Sequence, residues 1–105
     1  MQADEFLLNA ATTLKSRGKD YDSSQNRIEE RSMKKTIEAF NSITGNELNE
    51  EDGWLILLLL KQTRQYSSTN YHHDSAIDSV GYAALLAECL STNKPKGLID
   101  NGNNQ

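Results

Sequence analysis

Apolar positions are spread unevenly along this chain. Seven follow one another without a break from Trp54 to Leu60, and the others recur at helical intervals on either side of that run. A segment that is apolar on every face belongs inside a fold, not on its surface. Its length alone fits a buried strand as well as a helix, so the flanks decide. Asn49 is a suitable N-cap, and Glu50, Glu51 and Asp52 put negative charge where the helix dipole favours it. Lys61 and Arg64 fall toward the other end, where cations are favoured. The pattern predicts a central helix over 50–66.

Three further helices follow from the same reasoning. Leu7, Ala10, Ala11 and Leu14 predict a first helix over 3–16, with Gly18 as its C-terminal stop. The segment 19–26 is too polar and turn-rich to be other than a loop. Met33, Ile37 and Phe40 give a second helix from about Glu29 to Thr44, stopped by Gly45. After a polar loop over 66–71, Ile77, Val80, Ala84 and Leu85 predict a last helix over 73–91. Its many small residues (Ala76, Gly81, Ala83, Ala87) suit close packing against the bulky central run. The expectation is an all-α, four-helix bundle-like domain over 1–91, followed by a flexible polar tail over 92–105. No internal repeat is present.

Composition sharpens this picture. A chain of 105 residues makes one domain with a modest core, and a hydrophobic fraction of 36% predicts that oligomerisation completes it. The net charge of −4 makes nucleic acid an unlikely partner, because phosphate neutralisation needs a basic surface. The single cysteine, Cys89, forms no intrachain disulfide and reads as a small buried hydrophobe. With no signal-peptide pattern at the start, it points to a reducing cytoplasm. The apolar run is far shorter than the ~20 residues of a membrane span, so no membrane role is expected.

Candidate chemistry lies in two loops and two helix faces. Seven of the eleven Lys and Arg residues fall between Lys15 and Lys35. They form either a solvated face balanced by Glu29, Glu30 and Glu38, or a basic wall in which Arg31 and Lys34 or Lys35 face the Gly18–Asn26 loop. Lys61 and Arg64, three apart, share a face of the central helix, while Asp74, Asp78 and Tyr82 share a face of the last. In an antiparallel hairpin the two bases lie opposite Asp78 and Asp74. They then make either an interhelical ion-pair cluster that fixes register or the wall of a polar ligand site. His72-His73-Asp74 is a poor metal motif, since adjacent side chains diverge and no third ligand stands at helical spacing. A cap for the last helix is the favoured role there. No glycine-rich phosphate loop and no recognisable nucleophile setting is present, so the catalytic residues are unassigned and no metal ligand is identified.

Several motifs resemble a small phage and prophage family. They are Arg17-Gly18-Lys19-Asp20-Tyr21-Asp22, Glu30-Arg31-Ser32-Met33-Lys34-Lys35-Thr36, Asp52-Gly53-Trp54, Tyr71-His72-His73-Asp74-Ser75-Ala76 and Gly81-Tyr82-Ala83-Ala84-Leu85. The resemblance covers roughly 5–90 and extends distantly to the MazG-like, all-α nucleoside triphosphate pyrophosphohydrolases, which are four-helix oligomers. Those enzymes hold Mg²⁺ with two pairs of acidic residues, each pair three apart on a core helix. Here Asp78 matches the family's Asp, but Ser75 stands at its Glu, and Lys61 and Arg64 stand where the other pair would be. Two cations there repel a metal rather than bind it.

The resemblance and the charge pattern together imply a cytoplasmic accessory protein of an infected bacterium. It would bind, and in one version sequester, a nucleotide or related phosphorylated metabolite between helices or subunits of a homo-oligomer. Lys19, Arg31, Lys61 and Arg64 would meet phosphates. Tyr21, Tyr71 or Tyr82 would stack on a base, Asp74 or Asp78 would accept from ribose or base, and His72 lies beside them. No cofactor is expected under that reading. An alternative is a pyrophosphohydrolase using Mg²⁺ through a non-standard ligand set. A third is a protein-interaction module that inhibits a host factor, with modulation of host defence or metabolism as the outcome.

Overall fold

The computed structural model describes residues 1–19 and 28–94, with the side chains of 17–19 and 28–31 left aside. It contains four helices and, among the described residues, no strand: α1 (Ala3–Lys19), α2 (Ile28–Thr44), α3 (Glu50–Ser67) and α4 (His73–Asn93). The expected loop after α1 and the end of the polar tail lie outside the described residues. Gly18 does not stop α1, which continues to Lys19. Glycine costs a helix interior about 1 kcal/mol but breaks no hydrogen bond, so it need not end one. Gly45 does end α2. It adopts φ +78°, and its N–H donates to the Asn41 carbonyl at 2.8 Å.

The α2–α3 connection is held by one side chain. Asn41 donates from Nδ2 to the Leu48 carbonyl and accepts the Leu48 N–H at Oδ1, both at 2.9 Å. The next residue, Asn49, is the N-cap of α3, and its N–H donates to the Asp52 carboxylate at 2.7 Å. The acidic turn foreseen at 50–52 thus fixes the helix start as well as suiting its dipole.

α3 and α4 form the antiparallel spine. Three contacts run along it in opposed order: Lys61 with Asp78, Trp54 with Tyr82, and Glu51 with Lys94. α1 packs on α4 and α2 packs on α3. The α2–α3 crossing depends on Gly53, where an added Cβ would meet the Met33 thioether and come within 3.1 Å of Ile37 Cδ1. Gly81, at the α1–α4 contact, is under no such constraint, because a Cβ there would lie 3.9 Å from Leu14.

The core is thin. Among the described residues the buried hydrophobic side chains are Ala10, Ile37, Trp54 and Cys89, and the one fully buried side chain is Ser75. Cys89 is buried as expected of it. The expectation that the Trp54–Leu60 run is enclosed on all sides needs correction. Trp54 is buried and Leu57 and Leu58 are half-buried, but Leu55, Ile56, Leu59 and Leu60 are 42–53% exposed. The reason is topological: α4 covers one side of α3 and α2 crosses near its start, leaving an apolar face that the other described helices do not cover.

Candidate functional site

The turn between α3 and α4 is built around Gln65. Its Nε2 donates to the Asn70 carbonyl at 3.0 Å, and its Oε1 accepts the His72 N–H at 2.8 Å. Ser68 adds a bond from the Asn70 N–H to its hydroxyl at 3.1 Å. A stretch that reads as a mere polar loop is therefore tied down at both ends by the last turn of α3. His72 stands at the N-cap position of α4, although its side chain makes no bond to the free backbone N–H groups of the first turn. Its carbonyl accepts from the Ala76 N–H, and its Nδ1 lies 2.6 Å from the Ser75 hydroxyl. A histidine beside a serine suggests a nucleophile and its base, but Ser75 has no exposed surface and cannot reach a substrate. The pair is structural.

On this scaffold Arg64, Ser67, Ser68 and His72 line one open recess of about 450 Å³. The Arg64 side chain is exposed, and among the described residues no carboxylate pairs with it. The recess wall is more apolar than polar, and it lies next to the first turn of α4 with the Arg64 guanidinium as its charged group; the Ser68 hydroxyl already accepts from the Asn70 N–H, and His72 Nδ1 is engaged by Ser75. The guanidinium suits an anion's oxygens.

Lys61, one turn away, is committed elsewhere. Its ammonium lies 3.0 Å from the Asp78 carboxylate, with the two side chains 14% and 17% exposed. Of the two roles open to this set, the interhelical ion pair is the one Lys61 and Asp78 make. Arg64 and Asp74 make no such pair among the described residues: both are exposed. Tyr82 is half-buried against Trp54, with ring centroids 6.1 Å apart. Asp78 and Tyr82 also border a cleft between α1 and α4 with Thr13, Leu14 and Ile77, but its space of about 10 Å³ is too small for a ligand. Tyr71 is exposed and its hydroxyl lies 3.0 Å from His73 Nδ1, with the rings edge to face. Lys19 and Arg31 lie on α1 and α2 with their side chains outside the described residues, and Tyr21 lies outside them altogether.

Sequence reasoning missed Ser67 and Ser68. Their only signal was membership of a polar loop. It also missed a second recess of about 330 Å³, between α2, the start of α3 and the end of α4. Glu51 and Lys94 meet there at 3.0 Å, with Asn41, Lys34 and Glu38 around them. Among the described residues no three His, Cys, Asp or Glu side chains converge in a way that would hold a metal. Nor, among them, is any helix long and apolar enough to cross a membrane.

A family model described as a domain of unknown function, DUF6378, matches residues 5–90. The chain belongs to this family. No curated protein and no solved structure matches it. The DUF6378 match takes in the whole α3–α4 turn and its recess, and it ends at Leu90. Lys94, which closes the second recess, lies beyond the DUF6378 segment.

Proposed function

We propose that this DUF6378 protein binds a phosphorylated small molecule, of which a nucleotide is the favoured kind, at the α3–α4 turn. The observation that carries the reading is the recess in which Arg64, with no carboxylate paired to it among the described residues, stands with Ser67, Ser68 and His72. A guanidinium presents a planar fork of donors that matches phosphate oxygens, and the hydroxyls of Ser67 and Ser68 and the second ring nitrogen of His72 are further donors available to such a ligand. Tyr71, exposed on the same turn, is the nearest of the candidate tyrosines in sequence and the one we assign to base stacking.

The motif resemblance to phage proteins and to MazG-like pyrophosphohydrolases supports a nucleotide over other phosphates. It also supports a phage-encoded protein at work in a bacterial cytoplasm as a homo-oligomer. Capture is favoured over turnover, because the Asp78 carboxylate that a Mg²⁺ ion would need is engaged by Lys61 at 3.0 Å.

Isothermal titration with ATP, a cyclic dinucleotide and inorganic phosphate tests the reading. At least one should bind the intact chain, and Arg64→Ala should weaken it at least tenfold on the scale of a charge-assisted contact. Lys61→Met should leave affinity within a few-fold. Silence across the panel, or binding indifferent to Arg64, overturns the proposal.

A further inference from the structure

The uncovered side of α3 is not a scatter of single exposed residues. Leu55, Ile56, Leu59 and Leu60 occupy successive turns on one side of the helix, and Tyr66 continues the stripe at 86% exposure. At 3.6 residues per turn, Asp52 and Thr63 fall on the same side. The buried Trp54 and half-buried Lys61 point the other way, into the α3–α4 contact.

We infer that this face is where two copies of the chain meet, α3 against α3, antiparallel about a two-fold axis near Leu57–Leu58. This specifies the homo-oligomer of the preceding reading and stands apart from the phosphate recess. Area argues for it first. Five large side chains, 42–86% exposed along one face, make a contiguous apolar patch of the kind that marks an interaction site. Covered in full on both copies, a patch of that class reaches at most about 1,200 Å², where specific interfaces begin.

The thin core argues for a second copy over a foreign partner. With Ala10, Ile37, Trp54 and Cys89 as its buried hydrophobic side chains among the described residues, the chain needs cover whenever it is folded. Only another copy is always present in equal amount.

Charge sets the orientation. A parallel pairing would put the acidic turns Glu50–Asp52 of both copies side by side. The antiparallel one separates the two acidic turns, and it opposes the helix dipoles. It places Ile56 opposite the partner's Leu59, and the same contact recurs across the axis.

Native mass spectrometry and light scattering on the intact chain provide the test. The expected mass is twice the 11.8 kDa of one chain. Ile56→Lys and Leu59→Glu should each be monomeric. Mixed together they should form a one-to-one pair, because lysine then faces glutamate across the axis. A wild-type chain monomeric at tens of micromolar, or variants that keep the wild-type mass, overturns the inference. If the charged variants lose helical circular dichroism, a milder pair decides. In a Cys89→Ala background, Leu59→Cys should be joined to its own copy by a short bismaleimide, whereas Lys35→Cys on exposed α2 should not. Equal linking of both, or none at Leu59→Cys, counts against it. Phosphate binding that survives in the monomeric variants shows that the two proposals stand or fall separately.

Discussion

Lys61 and Arg64 look alike in the sequence and differ in the fold. Lys61 sits between α3 and α4 with its charge 3.0 Å from Asp78, while Arg64, one turn on, reaches the open recess. Removing Lys61 takes the ammonium away from a half-buried carboxylate at an interhelical contact. Lys61→Met should therefore lower the urea midpoint, by about 1–3 kcal/mol of stability, at unchanged slope. Arg64→Ala should barely move it, because an exposed side chain with no ion-pair partner among the described residues holds little together. Their spacing shows that they share a helix face; it does not show which one meets a carboxylate. That depends on where α4 lies, and so does the burial of Ser75, which removes an apparent serine–histidine nucleophile from consideration.

At the scale of elements, the local signals carry most of the account. Asn49 and Asp52 start α3, Gly45 stops α2 in a left-handed conformation, and His72 occupies the N-cap position of α4. Capping, turn and periodicity rules act within a few residues, so they can be read without neighbours. The exception is informative. Gly18 resembles a stop but lies within α1, while Gly53, mid-helix, is the glycine on which packing depends. A Cβ at position 53 runs into Met33 and Ile37 of α2. The Met33 thioether is flexible enough to yield to one methyl, but not to a branched side chain. Gly53→Val should destabilise by about 1–3 kcal/mol in thermal or urea unfolding, as overpacking at a helix crossing does. The same substitution at Gly81, where the nearest side-chain atom lies 3.9 Å from an added Cβ, should cost less.

For the whole molecule the question is how the few buried side chains among the described residues hold four helices. The exposed stripe on α3 and the thin core are two sides of one deficit. If paired chains remove it, folding and association are coupled, and the melting temperature should rise with protein concentration over a hundredfold range. A melting temperature independent of concentration would mean that the single chain is stable as it stands.

What the sequence settled by itself was local: four helices, their ends to within a few residues, an apolar run at 54–60, and the candidacy of the basic and acidic residues at 61, 64, 74 and 78. These follow from the chain's own periodicity and charge order, which need no partner. The tertiary arrangement alone decided which face of α3 stays uncovered, that Lys61 joins Asp78, and that Ser67, Ser68 and His72 gather around Arg64. Those facts come from contacts between residues far apart along the chain or across a turn. Periodicity places a side chain on a face of its helix, but not opposite a particular neighbour.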